Sequence, residues 1–487
     1  MSNKILSKSR LLKGFQCPKS LMLSIFEPEL EGEPDEAQEN IFNEGKNVGE
    51  LARKEFAGGT LIEAEHFDFD SYTTKTIDAI KSGEKVLYEA GFRWKSFFFR
   101  SDILKKAPKD SWDLIEVKMS NSSKPVHLID LAIQRIIMEG AGYKIRKTIL
   151  MHLNRECVFP DLSDLFIQED KTEEVEAILA DTKKKMLSLE KLVATKKTPK
   201  IDIGTHCEDP YPCGFIDHCW KNVPKPSVFD IPKIKPWKHY SNGVVTIKDL
   251  AKEPISEEVK IFVICHLKKK QFIDKEAIRS NFNNWKWPLI FIDFETISFT
   301  IPRLNGTSPY SQVPFQLACS IWNDPKAKPL EKDFLDVNAE DPRERMAKHL
   351  ADNIPSKGSV VAYNKGFESG VLKRLAEVFP KYERKMTSIR ERLVDPLNLL
   401  RGNVYDPKFG SSYSLKYVAP ALLGKTASYD GMKVGDGTAA QLAYIKLRDP
   451  KVTTKEKNEL TEALIIYCRK DAELMRLLID WLMKQIK

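Results

Sequence analysis

The 487-residue sequence lacks an apolar run of about 18 residues, the length that a membrane-spanning helix requires. Its start also lacks an apolar block followed by small residues, the pattern that marks a secretory signal. Internal repeats and low-complexity tracts are missing as well, which argues against repeat architectures. These absences predict a cytoplasmic protein of ordinary globular domains, with no membrane among its partners.

Charge of one sign is only mildly in excess, with 77 basic and 69 acidic residues and a net charge of +8. This balance permits a polyanionic partner but does not require one. Cysteine is scarce at eight residues, and a reducing compartment disfavours disulfides, so closely spaced cysteines suggest metal binding. Apolar residues make up 42% and charged residues 30% of the chain, and its length predicts two or three domains.

The clearest break in the chain is residues 223–239, where repeated prolines and lysines interrupt every periodic pattern. A short segment with helical patterns, residues 240–285, follows it and precedes an apolar strand at 288–295. The predicted organisation is therefore an N-terminal domain, a proline-rich linker with a small helical connector, and a C-terminal domain, at residues 1–222, 223–285 and 286–487.

Residues 94–120 read as two strands joined by a turn rich in Lys, Pro and Asp, which predicts a β-hairpin. Alternation along a strand places Glu116 and Lys118 on one face, and pairing would bring Asp102 close to both. Two carboxylates can hold a divalent cation such as Mg²⁺, and a neighbouring lysine can orient water or stabilise charge on a phosphate. The alternative is a solvent-facing strand pair, which commonly shows charges at alternate positions.

Two predicted helices flank this hairpin, one carrying Glu44 upstream and one carrying Gln134 downstream. A Glu-bearing helix, then Asp, then Glu-x-Lys, then Gln on a helix resembles the PD-(D/E)XK nucleases of the RecB type, including the CRISPR-adaptation nucleases. Many of those relatives carry a histidine near Gly49, and Glu44 is the candidate to replace it. The resemblance implies a restriction-endonuclease-like domain with these catalytic residues: Asp102, Glu116, Lys118 and Gln134, of which Asp102 and Glu116 bind the divalent cation.

Three cysteines, Cys207, Cys213 and Cys219, occur within a short segment rich in Pro, Gly, Asp and His, and Cys17 is the one cysteine upstream of the hairpin. A Cys₄ set suits either zinc or an iron–sulfur cluster, and spacing alone does not separate them. One cysteine far upstream of three others is similar to the arrangement in iron–sulfur RecB-type nucleases. That resemblance implies a 4Fe-4S cluster, with zinc as the alternative.

The C-terminal half contains a second set of acids. Asp293 and Glu295 lie on one face of an apolar strand, where two buried carboxylates are costly unless they bind a cation. Further along, a strand runs into a predicted helix, and the four-residue interval is expected to set Asn364 and Glu368 along one helix face. Near the end of the sequence, Tyr467 and Asp471 share one face of an amphipathic helix by the same spacing.

This order is similar to the Tyr-type DEDD exonucleases of the ribonuclease H-like fold. The resemblance implies a mixed sheet flanked by helices, and four carboxylates that bind two Mg²⁺ or Mn²⁺ ions while the tyrosine aligns a water. The implied catalytic set is Asp293, Glu295, Glu368, Tyr467 and Asp471, the four acids being the divalent ligands. Glu368 departs from the family, where Asp is commoner. Asn364 is an auxiliary candidate, as is Asp395, although a helix cap is the simpler interpretation of Asp395.

Taken together, the sequence predicts an α/β protein and resembles bacterial proteins in which a RecB-type nuclease precedes a C-terminal domain of unknown function. The implied activity is metal-dependent hydrolysis of DNA at single-stranded ends or flaps, with a second 3′–5′ exonuclease centre. Two alternatives stay open. The C-terminal centre could act on RNA, since nothing in these motifs recognises a 2′-hydroxyl, or one half could bind nucleic acid without cleaving it.

Overall fold

The computed structural model describes residues 5–33, 35–65, 67–338 and 340–487. The chain divides into two compact units, Met1–Asn222 with Phe299–Tyr310 and Val223–Ser298 with Ser311–Lys487. Both combine helices with a mixed sheet, so the predicted α/β class is confirmed. No helix within the described ranges is long and apolar enough to cross a membrane.

The first unit is built around one sheet. Its strands are β1 (Leu6–Ser7), β2 (Thr60–Leu61), β3 (Val86–Trp94), β4 (Phe97–Ala107), β5 (Ser111–Lys118), β6 (Lys144–Leu153) and β7 (Phe166–Asp170). Its helices are α1 (Lys8–Gln16), α2 (Pro18–Phe26), α3 (Glu36–Ala52), α4 (Phe69–Lys81), α5 (Pro125–Gly140), α6 (Thr172–Thr195) and α7 (Ile216–Trp220). In the described residues the sheet order is β2-β3-β4-β5-β6-β7, with β1 paired to β4.

The predicted hairpin is formed by the antiparallel strands β4 and β5. Its turn holds Lys109 and Asp110 at φ values of 57° and 52°, the left-handed conformation that tight hairpin turns use. The ladder ends where Ile103 pairs with Ile115, so Asp102 and Glu116 lie just beyond the last pair. Helix α5 then connects β5 to its parallel neighbour β6 and packs on the sheet.

Residues 299–310, which the sequence analysis included in the C-terminal domain, pack with the first unit. The Tyr310 hydroxyl donates a hydrogen bond to the carbonyl of Met119, and Phe159 and Thr307 are joined by a backbone hydrogen bond of 2.9 Å. Local sequence periodicity does not reveal which unit such a segment joins, because its position depends on contacts with residues far away in the sequence.

The second unit has two sheets. Its strands are β8 (Phe272–Ile273), β9 (Leu289–Ser298), β10 (Gln312–Trp322), β11 (Leu330–Glu331), β12 (Phe334–Leu335), β13 (Ser359–Val361), β14 (Leu393–Val394) and β15 (Val404–Tyr405). Its helices are α8 (Pro236–Ser241), α9 (Ile247–Leu250), α10 (Glu257–Lys268), α11 (Lys275–Phe282), α12 (Arg343–Asn353), α13 (Gly366–Val378), α14 (Glu383–Glu391), α15 (Pro396–Leu400), α16 (Leu415–Leu423), α17 (Gly437–Leu447) and α18 (Thr454–Gln485). The predicted linker and connector, residues 223–285, thus contribute α8 to α11 to this unit.

The larger sheet of this unit has the described order β11-β10-β9-β13-β14, with β12 also paired to β10. Strand β9 is antiparallel to β10 and parallel to β13. Its side chains Ile290, Ile292 and Phe294 enter a core shared with α12, α13 and α14. Because side chains alternate along a strand, Asp293 and Glu295 face the opposite side, where α18 packs against β9 and β10.

Candidate functional site

The second unit brings three carboxylates together. Asp293 and Glu295 come from β9, and Asp471 comes from α18. Their ligand oxygens all lie within 4.8 Å of one another, and no other group of three His, Cys, Asp or Glu residues in the described ranges is that compact. Hard divalent cations such as Mg²⁺ bind through oxygen ligands of this kind. The predicted pairing of strand acids with an acid on the C-terminal helix is therefore present in space.

Glu368 lies beside this acid triad, in the first turn of α13. It is 3% exposed, and its Oε2 atom has no hydrogen-bond partner in the described structure. Burial raises the pKa of Asp293 well above its usual value, and the negative charges of Asp471, Glu295 and Glu368 add to that rise. Two buried and two half-buried acids that repel one another fit a site whose charge a bound cation would neutralise.

The other acids of this site titrate unusually for the same reasons. Burial raises the pKa of Glu295 to about 8, with a further contribution from Asp471. Burial raises the pKa of Glu368 to about 8 as well. The pKa of Asp471 rises only to about 6, because a hydrogen bond from Tyr429 and the charge of Lys416 oppose the effect of burial.

Two tyrosines flank Asp471. Tyr467 lies one helical turn before it in α18 and is 4% exposed, and its hydroxyl forms no hydrogen bond with another described residue. Tyr429 donates a hydrogen bond to Asp471 Oδ1, and its ring centroid is 6.2 Å from that of Tyr467. Helical spacing in the sequence predicts Tyr467 but not Tyr429, because Tyr429 lies in an irregular segment without a periodic pattern.

The expectation that Asn364 and Glu368 share a helix face is wrong. Helix α13 begins at Gly366, and Asn364 precedes it in the left-handed conformation, with φ of 58°. The reason is Asp395, whose carboxylate accepts hydrogen bonds from the backbone N–H groups of Asn364 and Lys365 at 3.0 and 3.2 Å. Asp395 also caps α15, so its carboxylate is engaged in holding this turn.

A pH-dependent effect of divalent cations on stability is expected from these acids. The folded state raises the pKa of Glu295 from 4.5 to about 8, so the contribution of Glu295 to the stability of the metal-free unit is full below pH 4.5 and is lost as pH rises toward 8. A cation that binds the carboxylates should offset the loss. We expect saturating Mn²⁺ to raise the Tm by about 5 °C at pH 8 and by much less at pH 5, measured by scanning calorimetry. Asp293→Asn should remove most of this increment, and an equal increment at both pH values would contradict the prediction.

In the first unit, Glu116, Lys118 and Gln134 lie in one hydrogen-bonded network. Lys118 Nζ is 2.6 Å from Glu116 Oε1 and 2.7 Å from Asp130 Oδ2. Gln134 Nε2 donates to Glu116 Oε2 at 2.6 Å and to Asp130 Oδ1 at 3.0 Å. Asp130 was not found from the sequence, although its position one turn before Gln134 in α5 was a usable signal.

A second lysine joins this network from the N-terminal helix. Lys8 Nζ lies 2.8 Å from Glu116 Oε1 and 3.2 Å from Asp130 Oδ1. The side chain of Lys8 is 22% exposed, whereas those of Glu116 and Asp130 are almost fully buried. Lys8 and Glu116 are 108 residues apart in the chain, so no motif spacing could have connected them.

Asp102 lies at the same end of the hairpin, where its Oδ2 accepts a hydrogen bond of 2.7 Å from the backbone N–H of Val117. Burial raises its pKa, and the charges of Lys8 and Lys118 oppose that rise. Burial, together with the charges of Asp102 and Asp130, raises the pKa of Glu116 to about 7. Two ammonium groups thus compensate part of the charge of these three acids, and both of them contact Glu116 Oε1.

Glu44 is half-buried on α3. Burial raises the pKa of Tyr310, and the charge of Glu44 adds to that rise. Glu44 forms no hydrogen bond or ion pair with the described residues of the Lys8–Lys118 network. The structure therefore does not bring Glu44 together with Asp102 and Glu116.

The four cysteines singled out in the sequence, Cys17, Cys207, Cys213 and Cys219, line one small cavity of the first unit. Cys17 lies between α1 and α2, Cys207 and Cys213 precede α7, and Cys219 lies within α7. All are free thiols. No three of their sulfur atoms lie within 4.8 Å of one another among the described residues. Tetrahedral zinc would hold its sulfur ligands about 3.8 Å apart, so this set is wider than a single zinc ion requires.

Comparisons with known proteins place part of the chain in context. Residues 290–414 match the model of a domain of unknown function, DUF2779. The uncharacterized protein UU173 of Ureaplasma parvum is 22% identical over an alignment of 276 residues, and the match covers 51% of this chain and 40% of that protein. The uncharacterized protein MG366 of Mycoplasma genitalium is 24% identical over an alignment of 252 residues, and the match covers 48% of this chain and 37% of that protein. The chain thus spans about two fifths of the length of these relatives.

Among solved structures, one titled "Crystal structure of SSO0001" is similar at 14% identity and a TM-score of 0.25. The match covers 46% of this chain and 89% of that one. The segment that matches the domain of unknown function contains Asp293, Glu295 and Glu368 and ends at Ser414, before Tyr467 and Asp471.

Proposed function

We propose that this chain is a metal-dependent nuclease with two hydrolytic centres, a PD-(D/E)XK centre in the first unit and a DEDD-type centre of the ribonuclease H-like class in the second. The observation that carries the proposal is the convergence of Asp293, Glu295 and Asp471 within 4.8 Å. Strand acids facing an acid on a C-terminal helix, with a tyrosine one turn before it, match the order of residues in the Tyr-type DEDD exonucleases. We propose a cytoplasmic location.

In the second centre, Asp293, Glu295, Glu368 and Asp471 would hold the divalent ions. Bound Mg²⁺ or Mn²⁺ would activate water and stabilise the oxygen that leaves the scissile phosphate. The chain's own contribution is to hold the four acids, mostly buried, in one place. Tyr467 presents a hydroxyl without a partner among the described residues, available to orient a water molecule. Tyr429 fixes one oxygen of Asp471 through its hydrogen bond and leaves the other oxygen for the cation.

In the first centre, Asp102 and Glu116 are the proposed ligands of the divalent cation, and Lys118 is the proposed phosphate-stabilising cation. Buried acids raise the pKa of Lys118 well above its usual value, against the effect of its own burial, so the ammonium stays charged throughout the physiological range. Gln134 holds the Glu116 carboxylate in place from α5. Removal of Gln134 would free that carboxylate without removing its charge.

DNA with single-stranded ends or flaps is the proposed substrate, and 3′–5′ removal of nucleotides is the proposed activity of the second centre. A digest of 5′- and 3′-labelled single- and double-stranded DNA and RNA, with Mg²⁺, Mn²⁺ or EDTA, tests this directly. Shortening of single-stranded DNA that stops with EDTA is the expected result. Cleavage of RNA alone would support the alternative substrate, and binding without any cleavage would support a nucleic-acid-binding module.

The four cysteines that line one cavity are the proposed ligands of a 4Fe-4S cluster, and zinc is the alternative. The shared cavity supports a common cofactor, since four thiolates suit either group. Such a centre would tie Cys17 near the beginning of the first unit to the loop around α7 near its end. Thiolate ligation would then contribute to the folding free energy of that unit.

Anaerobically purified protein is therefore expected to be brown, with broad absorbance in the blue and iron and sulfide in a ratio near 1:1. Replacing Cys213 with Ser should bleach the protein and lower the Tm of the first unit. Cys265→Ser, which alters a buried thiol of the second unit, serves as the control and should leave the colour unchanged. A colourless protein that contains stoichiometric zinc would overturn the iron–sulfur assignment.

A further inference from the structure

A cleft of about 820 Å³ in the second unit opens onto Asp293 and Asp471. Its lining also contains three cationic side chains, Lys233, Arg401 and Lys416. Cations next to buried acids suit a ligand whose negative charge lies beside the bound metal ions. The cleft therefore offers two kinds of contact, oxygen ligands for a cation and cationic groups for an anion.

The N-terminus of α16 forms part of this lining, through Ser414, Leu415 and Lys416. No side-chain hydrogen bond caps this helix, and its first turn contains no acidic residue. A helix N-terminus carries partial positive charge, so a lysine there is unfavourable unless an anion is nearby. The acids Glu295 and Asp471 supply nearby negative charge, and Lys416 adds a cation to the same end of the cleft.

Lys416 is held close to the acids. Its Nζ atom donates a hydrogen bond of 2.9 Å to the carbonyl of Gly435 and lies 5.7 Å from the centre of the Tyr429 ring. Tyr429 in turn contacts Asp471. These contacts hold the ammonium group of Lys416 beside the acid triad. Its positive charge opposes the rise in the pKa of Glu295 and Asp471 that burial causes.

Arg401 supplies a second cation to the lining of the cleft. It follows the last residue of α15, is exposed, and its guanidinium forms no hydrogen bond or ion pair with any other described residue. An arginine presents five N–H donors in a fork that matches the oxygens of a phosphate. Lys233 differs, because Glu258 already neutralises it at 2.5 Å.

We propose that Arg401, Lys416 and the N-terminus of α16 form a phosphate-binding site that holds a phosphate group of the ligand next to the acid triad. That the ligand is a polynucleotide rests on the proposed function. The site itself rests on the cleft and on the two cations, Arg401 and Lys416, that line it together with Asp293 and Asp471. A phosphodiester within a strand and free phosphate share the chemistry that this site recognises, and the experiment separates them.

The test measures binding of a 5′-fluorescein-labelled single-stranded oligonucleotide by anisotropy at several salt concentrations. All variants carry Lys118→Ala, and Ca²⁺ replaces Mg²⁺ so that the strand stays intact. Any contribution of the first unit is then the same in every variant. We expect Arg401→Gln and Lys416→Gln each to weaken binding by about fivefold and to reduce the slope of log K against log salt by about 0.7, the value for one lost phosphate contact to a single strand.

Lys326→Gln is the matched control, since Lys326 is an exposed lysine of the same unit outside the cleft, and its slope should equal that of the parent. Unchanged affinity and slope in both cleft variants would overturn the site, even if the protein cleaves DNA as proposed. Binding of inorganic phosphate that depends on Arg401 and Lys416, in a protein that neither binds nor cuts strands, would support the site and contradict the nuclease.

Discussion

Replacing Lys118 with alanine is expected to abolish one pattern of DNA cleavage and leave another intact, and replacing Asp293 with alanine is expected to do the reverse. Lys118 is one of the two lysines of the network in the first unit, and Asp293 belongs to the acid triad of the second. The loss of a single transition-state cation commonly costs at least about a hundredfold in rate. Products from 5′- and 3′-labelled single strands, resolved by gel electrophoresis, distinguish the two patterns.

Matched controls keep this prediction specific. Lys144→Ala removes an exposed lysine of the first unit, and Asp352→Ala removes an exposed acid of the second, so both should cleave like the parent. Circular dichroism should show that each active-site variant folds. If one single substitution abolished all cleavage, one of the two centres would be inactive, and the chain would have a single nuclease centre.

Tyr467→Phe is expected to slow 3′-end trimming by about a hundredfold without weakening metal binding, because the variant keeps the buried ring and loses only the hydroxyl that would orient water. Asp471→Asn removes a charge from the acid triad and should instead raise the Mn²⁺ concentration needed for activity. A metal titration of trimming, carried out with Lys118→Ala present in every variant, separates the effect on turnover from the effect on metal affinity.

Tyr429→Phe is the informative comparison, since its hydroxyl contacts Asp471 directly. The lost hydrogen bond should raise the pKa of Asp471 above about 6, so metal affinity should fall several-fold near pH 6.5 and recover near pH 8. If Tyr467→Phe trims at the parent rate, Tyr467 is a packing residue. If Asp471→Asn also has no effect, the second unit does not use a DEDD mechanism.

Local patterns in the sequence were sufficient for the elements that carry most of the site. The hairpin of β4 and β5, helix α5 with Gln134, strand β9 with its two acids and the C-terminal part of α18 all follow from alternation or helical spacing. Each of these signals depends on residues two to four positions apart. The α/β class follows from the same elements.

Contacts between residues far apart in the sequence could not be predicted, because these patterns relate only residues two to four positions apart. Lys8 meets Glu116 across 108 residues, and Tyr429 meets Asp471 across 42 residues of irregular chain and helix. The backbone at Asn364 was mistaken for helix because the effect of Asp395 on that turn depends on a contact across 31 residues. These residues become apparent only when the sheet and helices bring their side chains together.

The central claim is that the acids and lysine of these two centres hydrolyse DNA with the help of divalent metal. It is tested most directly by comparing the parent with the double variant Lys118→Ala/Asp293→Ala on doubly labelled single-stranded DNA in Mn²⁺. The parent should shorten the strand, EDTA should stop it, and the double variant should leave the strand intact while remaining folded. Cleavage by the folded double variant at the parent rate would contradict the account.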